Sequence, residues 1–260
     1  MRIPTTVAAV LVSVLLTLSG TAQDSPDLWM EVQKAFASGN RLAIPGMITD
    51  PAGEAGTISR YHDVERALYW QAHDLPAAVF VAEQGIAYCL IRAITVAGNN
   101  PNLSRRLRGA AGRIAFNLAS STWPGWNEPG IEVTPEQREL GREGARFALS
   151  VSEELDAGAG PLANGHWMVG AHELAAGEFE EAITSFERAA LYGRAAGDRG
   201  TELVSEGFAA ITRIAANMDA GDARERLGEI RATIERELGN PSFWTSQFDT
   251  ATQVFIEATD

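Results

Sequence analysis

Apolar side chains recur three and four residues apart along most of the chain, the spacing that lines one face of an α-helix. The first such segment begins at Ser25 and Pro26, a capping serine followed by a proline suited to the first helical position, and ends before Gly39. Residues 39–57 are rich in Pro and Gly, which predicts a loop. No segment shows convincing strand alternation, so the pattern predicts an all-α fold of about nine to ten helices. The remaining helices are predicted over 58–73, 75–97, 102–121, 135–156, 163–176, 179–196, 199–218, 221–238 and 241–258.

The predicted breaks between helices have turn and cap chemistry. Asn100 and Asp198 each stand at a break rich in Asn, Gly, Asp or Pro, which favour turns and helix starts. Thr134 and Gln137 have the spacing of a capping box, in which each side chain hydrogen-bonds the backbone amide of the other residue. These signals support separate helices joined by short connections.

One segment, residues 164–190, has the pattern of two helices joined by a tight turn. Small residues at Gly170 and Ala182 would let the two helices approach closely, and Phe186 would fill the space between them. The segment resembles a tetratricopeptide repeat, although its Trp167 lies one position later than the tryptophan of the family motif. The matching positions are Val169, Gly170, Gly177, Glu178, Phe179, Ala182, Phe186 and Ala189.

Weaker copies of the same pattern flank this segment, with Phe116 to Ala119 in the place of another first-helix core. The resemblance therefore implies helical-hairpin repeats over 58–238, wound into a right-handed superhelix. Residues 23–57 would form an N-terminal helix and loop, and 239–260 a C-terminal capping helix. A helical bundle without repeats is the alternative architecture.

In tetratricopeptide proteins the first helix of each unit lines a concave groove, so the resemblance implies a binding site. Asn117 falls where peptide-binding members of the family often use an asparagine to hold the peptide backbone. The Lys-rich pattern that grips a C-terminal carboxylate is absent from this sequence. The implied groove residues are Arg113, Phe116, Asn117, Ser120, Asn164, Trp167, Met168 and Ala171.

A segment at 122–133 is longer than the repeat pattern requires, and it contains Trp123 and Trp126 together with two Pro and two Gly. Insertions in helical repeat arrays emerge on one face, often the binding face. Tryptophan suits recognition because it offers a large contact area at a small entropic cost. The two indoles either cover an exposed helix end or bind a partner, and both interpretations remain open.

Residues 1–22 have the order of a secretory signal. Arg2 is followed by an apolar run, and Gly20 and Ala22 are small residues at the positions before a cut at Gln23. We therefore expect a periplasmic or secreted protein. We also expect no membrane-spanning segment once the signal is removed.

The chain carries a formal charge of −13, which opposes binding to nucleic acid and favours a cationic ligand over an acidic one. The single Cys89 lies in an apolar run, so we expect a buried thiol. The four histidines lack the spacing of a helical zinc site, and no nucleophile or phosphate-loop motif is present. We expect no catalytic residue, metal or cofactor.

The sequence thus favours a scaffold or adaptor that binds a protein or peptide in a concave groove. The alternative is a small-molecule-binding module or an enzyme, with a pocket under the loop of Trp123 and Trp126. An enzyme site would draw on His166, His172 and Glu173, which lie on one predicted helix.

Overall fold

The computed structural model describes residues 27–257, and every regular element within that range is helical. The all-α prediction is confirmed, with eleven α-helices in the described residues rather than nine or ten. Two short 3-10 helices, Arg41–Ala43 and Pro124–Trp126, lie between them. The predicted signal segment and the Ser25 cap lie outside the described residues. The helices are α1 Leu28–Ala37, α2 Ile44–Ile48, α3 Glu54–Trp70, α4 Leu75–Val96, α5 Pro101–Ser121, α6 Pro135–Glu154, α7 Ala159–Ala176, α8 Phe179–Ala195, α9 Arg199–Ala215, α10 Ala220–Glu237 and α11 Pro241–Phe255.

The largest differences from the predicted helix boundaries lie within 39–57 and at the start of α7. The predicted loop at 39–57 is wrong in part, because it contains α2 and the start of α3. Pro45 does not break α2, since it occupies the first turn, where a backbone N–H has no helical partner. Helix α7 begins at Ala159, ahead of the predicted position 163, because Pro161 also lies in its first turn.

Helix starts elsewhere follow the predicted chemistry. The Asn100 side chain accepts a hydrogen bond from the amide of Leu103 at 3.0 Å, and Asp198 caps α9 in the same way. The Thr134 amide donates to the Gln137 side chain at 2.9 Å, and the Gln137 amide donates to the Thr134 hydroxyl at 3.3 Å. The capping box predicted for α6 is therefore confirmed.

The chain divides into two compact units. Residues 27–122 and 129–151 belong to the first, which we call the N-terminal unit, and 123–128 and 152–257 belong to the second, the C-terminal unit. The 122–133 segment, which we call the Trp loop, is split by this division: its residues 123–128 belong to the C-terminal unit, whereas the residues on either side belong to the N-terminal unit. No sequence pattern had predicted this.

In the N-terminal unit, α4 packs between α3 and α5. Gly85 permits this close approach, because a Cβ at that position would lie 3.1 Å from both Tyr61 on α3 and Ile114 on α5. Leu68, Val81 and Cys89 contribute fully buried side chains to the core. The buried Cys89 thiol agrees with the sequence prediction.

Helix α4 is also the one described helix that is long and apolar enough, by length and composition alone, to cross a membrane. The sequence had predicted no such segment after the signal. Within the unit, 44% of the most apolar window of α4 is buried, and its buried face, which includes Val81 and Cys89, packs in the core. Ile91 and Ile94 lie on the exposed face of α4.

In the C-terminal unit, α7 packs on α8, α8 on α9, and α9 on α10 and α11. The turn between α7 and α8 is closed by Gly177, whose φ of +76° lies in the left-handed region that favours glycine. A Cβ at Gly170 would lie 3.1 Å from the Phe186 ring, so the small residue allows the close approach predicted for these helices. Ala182 and Phe186 are both fully buried.

Replacing Ala182 with Phe should therefore destabilise the α7–α8 pair. The larger side chain has no space at this fully buried position, and overpacking of this kind costs about 1–3 kcal/mol or more. Glu180→Ala on the exposed face should change the free energy of unfolding by roughly 0.5 kcal/mol or less. Urea denaturation of both variants measures the difference. Equally small effects would show that the position of Ala182 in the helix pair is wrong.

Candidate functional site

The predicted groove residues on α5 occupy different environments. Arg113 is exposed and Phe116 half-buried, whereas Asn117 is buried, with 7% of its surface exposed. The Asn117 side-chain nitrogen lies 3.0 Å from Nε2 of His62 and donates to the Glu65 carboxyl at 3.3 Å. The amide expected to hold a peptide backbone is thus already engaged within its own unit.

The Glu65 carboxyl is the most unusual group in this cluster. Burial raises its pKa to about 8, although hydrogen bonds from Asn117 and Ser121 act in the opposite direction. Burial also lowers the pKa of the neighbouring His62 imidazole, helped by the charge of Arg66. Both groups are therefore mainly neutral near pH 7, and the cluster is a network of uncharged polar side chains in which Glu65 and Asn117 are buried and His62 is half-buried.

The predicted groove residues on α7 are mainly core residues. Trp167 and Met168 are buried, and Asn164 is half-buried. Eleven of the eighteen residues of α7 are buried, and they lie all round the helix rather than on one face. Because it is buried on all sides, α7, the first helix of the predicted repeat, offers little side-chain surface to a ligand.

Trp123 in the Trp loop is packed inside the C-terminal unit. It is 2% exposed, and its indole nitrogen donates to the backbone oxygen of Ala171 at 2.8 Å. Its ring meets Trp126 edge-to-face at 4.7 Å between centroids, and Trp167 at 5.5 Å. Gly125 is required here, because a Cβ would lie 2.2 Å from the Trp123 ring. The burial of Trp123 indicates that its indole covers the core of the unit rather than binding a partner, whereas the Trp126 side chain is only half-buried.

The acid and imidazole groups considered for an enzyme site also lie in this unit. His172 and Glu173 are buried, and the Ser185 hydroxyl donates to the Glu173 carboxylate at 2.7 Å. His166 stacks on Tyr192 with ring centroids 5.4 Å apart, and burial lowers the pKa of its imidazole. In the described residues, no three His, Cys, Asp or Glu side chains come together as metal ligands would.

The C-terminal unit also contains a groove of about 530 Å³ formed by α8, α9 and α10. Helices α8 and α9 each contribute four residues at positions i, i+3, i+4 and i+7, which form one helical face. Helix α10 contributes Asp222, Ala223 and Arg226, and Asp219 lies directly before its first residue. Each of the three sets begins with an acid and ends with an arginine. We call this feature the α8–α10 groove, and its lining residues are Glu187, Ala190, Leu191, Arg194, Glu206, Ala209, Ala210, Arg213, Asp219, Asp222, Ala223 and Arg226.

Ion pairs connect the three helices across this groove. Glu206 on α9 is central, because its carboxylate lies 3.3 Å from a guanidinium nitrogen of Arg194 on α8 and 2.7 Å from one of Arg226 on α10. Arg213 on α9 pairs with Glu187 on α8 at 2.6 Å. All three arginines of the groove are thus held by carboxylates of the protein itself.

Two kinds of side chain in the groove have no such partner. The carboxylates of Asp219 and Asp222 make no ion pair or side-chain hydrogen bond with the described residues. Leu191 is 60% exposed, and it lies beside a floor of buried alanines that includes Ala190 and Ala209. The groove therefore offers an apolar surface and two available negative charges.

This groove was not predicted from the sequence. The signal that could have revealed it is a short pattern that occurs three times, beginning at Glu187, Glu206 and Asp219. In each copy an acid is followed three and four residues later by two residues that are mostly small or apolar, and seven residues later by an arginine. Because the three copies are unequally spaced, a search for a fixed repeat length does not detect them. Only the packing of α8, α9 and α10 shows that the three faces meet.

Comparison of the chain with protein-family models, with curated proteins and with solved structures finds no match.

Proposed function

We propose that this chain is an exported helical-repeat protein of the scaffold or adaptor class, which binds a segment of another protein in the α8–α10 groove. The observation that carries this proposal is the groove itself, a cavity of about 530 Å³ built from one face of each of three consecutive helices. Curved arrays of helical hairpins commonly present such surfaces to partners. A tetratricopeptide-like architecture is part of the proposal.

The composition of the groove supports a protein segment over a small molecule. Seven of its twelve lining residues are charged, whereas small-molecule pockets are lined mainly by apolar side chains with a few polar groups. Exposed apolar residues surrounded by polar ones are typical of protein interaction surfaces. Leu191 provides that apolar contact, and the ion pairs around it form the polar rim.

The alternative function, a small-molecule site or enzyme under the Trp loop, has less support. Such a site would need Trp123 to leave the position where its ring is packed and its indole N–H is hydrogen-bonded. Leaving that hydrogen bond unmade in a buried position would itself cost about 1–3 kcal/mol.

Export is tested directly by N-terminal sequencing. We expect the protein recovered from the periplasm or medium to begin at or near Gln23, because Gly20 and Ala22 provide the small residues that signal peptidase requires. A mature protein that still begins at Met1 would contradict export through a cleaved signal.

The binding function is tested by affinity capture with matched surface variants. The bait is residues 23–260, and the variants are Leu191→Glu in the groove and Ile94→Glu on α4, where an isoleucine is 76% exposed outside the groove. Both substitutions place a charge on an exposed apolar site, so neither should unfold the protein. Circular dichroism confirms that both variants fold.

We expect periplasmic proteins captured by the parent to be captured by Ile94→Glu and lost with Leu191→Glu, as measured by quantitative mass spectrometry. The reason is that a glutamate at position 191 would place an unpaired charge against the apolar part of the partner. Equal capture by all three baits would contradict binding in the groove.

A further inference from the structure

We propose that the α8–α10 groove recognises a cationic segment, in which a Lys or Arg side chain binds at Asp219 and Asp222 and a neighbouring aliphatic side chain packs on Leu191. This inference rests on the proposed function and adds the chemical class of the partner. It stands on the groove and on the distribution of paired and unpaired charges along it.

Each arginine of the groove is already paired with a carboxylate of the protein. Arg194 is held between Glu202 at 2.6 Å and Glu206 at 3.3 Å, and Arg226 between Glu206 at 2.7 Å and Glu229 at 2.9 Å. An anion bound beside these pairs would meet the protein's own carboxylates as well as the guanidinium groups, and the repulsion from the carboxylates would offset the attraction to the arginines. The positive charge in the groove is thus already neutralised.

The negative charge is only partly neutralised. Glu187 and Glu206 are paired with arginines, but Asp219 and Asp222 have no ionic partner among the described residues. Asp219 stands at the start of α10 without capping it through its side chain, so its carboxylate is free to bind a ligand. A cation at this end of the groove would complete the series of ion pairs that α8, α9 and α10 share.

The apolar contact lies in the same cavity. Leu191 is the one large exposed hydrophobic side chain among the lining residues, and the alanines beside it make a shallow floor. A shallow floor accommodates a side chain that lies across it rather than one inserted deeply. An aliphatic residue close to a basic residue in one short segment can therefore use both features at once.

The overall charge acts in the same direction. The chain carries −13, so a basic segment is attracted from a distance, whereas an acidic segment is repelled. This long-range attraction is not specific to the groove. A test must therefore separate the local effect of Asp219 and Asp222 from the effect of total charge.

The test uses a random-peptide phage library selected on three immobilised proteins. These are residues 23–260 of the parent, the double variant Asp219→Asn/Asp222→Asn, and the double variant Glu180→Gln/Glu181→Gln. The last is the matched control, because it removes two exposed acids from the first turn of neighbouring α8, outside the groove. Both double variants have the same net charge.

We expect the parent and the control to enrich peptides with Lys or Arg near Leu, Ile, Val or Met. The Asp219→Asn/Asp222→Asn variant should keep the aliphatic preference and lose the basic one. For an enriched peptide, fluorescence anisotropy should show a Kd weaker by roughly three- to tenfold with this variant, the effect expected for loss of exposed ion pairs. The control should bind as the parent does.

The other outcomes separate the two claims. Enrichment of peptides without a basic preference, or of acidic peptides, would overturn the cationic segment and leave peptide binding intact. An equal loss of affinity in both double variants would also overturn it, since total charge alone would then explain the attraction. No enrichment above an empty surface would overturn peptide binding itself, and the cationic segment with it.

Discussion

Glu65→Gln should make the protein more stable at pH 7, by about 3 kcal/mol. The reason is that burial raises the folded-state pKa of Glu65 to about 8 from an ordinary 4.5, so folding keeps a proton that the unfolded chain releases at pH 7. Each unit of pKa difference corresponds to about 1.4 kcal/mol. Glutamine has a similar shape and stays neutral, and its oxygen can still accept the hydrogen bond from Asn117.

The raised pKa of Glu65 determines how the stability difference between the parent and the variant changes with pH. Because the folded pKa is raised, the stability that Glu65 contributes is fully present below pH 4.5 and is lost as the pH rises to about 8. The variant should therefore match the parent at low pH and exceed it progressively above pH 4.5. His62 acts oppositely, since its pKa is lowered and the stability that it contributes is lost as the pH falls below 6.5.

Urea denaturation of the parent and the variant at several pH values measures this difference, and comparison at each pH cancels the contribution of His62. Glu180→Gln, an exposed acid, is the control and should change the free energy of unfolding by roughly 0.5 kcal/mol or less. If Glu65→Gln were destabilising at pH 7, the buried carboxyl would have to be ionised and stabilised by its neighbours.

Trp123→Ala should destabilise the C-terminal unit by about 3–5 kcal/mol, the usual effect of removing a fully buried Trp. The variant loses the ring contacts with Trp126 and Trp167 and leaves the backbone oxygen of Ala171 without its indole donor. Trp126→Ala is the comparison, and its effect should be smaller because Trp126 is only half-buried.

Chemical denaturation measures both variants, and iodide quenching shows whether each indole is exposed in the folded parent. We expect the Trp123 contribution to be blue-shifted and protected from iodide. A variant that keeps the melting temperature of the parent would instead show that the Trp loop opens in solution, and it would restore the binding role for Trp123.

The sequence predicted helices well where amphipathic spacing and caps agree. The predicted 75–97 corresponds to Leu75–Val96, and 179–196 to Phe179–Ala195. The errors arose where Pro was interpreted as a break, because Pro45 lies in the first turn of a helix, where it causes no disruption. When the residue before a helix is a weak cap, the local sequence does not show whether a proline ends one helix or lies in the first turn of the next.

Burial was harder to predict than secondary structure. The resemblance to tetratricopeptide repeats implied that Asn117 and Trp167 lie on a ligand-binding face, yet both side chains are buried. Spacing along one helix identifies which residues share a face, but the neighbouring helices decide whether that face meets solvent. Helix α7 is apolar all round, so its sequence alone could not show which side a ligand would reach.

The α8–α10 groove illustrates the same limit for function. Its residues follow ordinary helical spacing on each helix, and acids with arginines at this spacing are also typical of a solvent-exposed face. The groove exists because α9 packs against both α8 and α10, which brings the three faces together. That arrangement depends on tertiary packing, to which buried residues beyond the three helices contribute, such as Phe248 of α11, whose ring packs on Phe208 of α9.

Binding in the α8–α10 groove is tested most directly by site-specific photo-cross-linking. Cys89 is fully buried and burial raises the pKa of its thiol to about 12, so an introduced cysteine is the one reactive thiol in the described residues. Leu191→Cys carries a benzophenone maleimide in the groove, and Ile94→Cys carries it on α4 as the control. After irradiation in periplasmic extract, we expect a discrete cross-linked partner from position 191 and none from position 94. Cross-linking from position 94 alone, or from neither position, would contradict a function based on this groove.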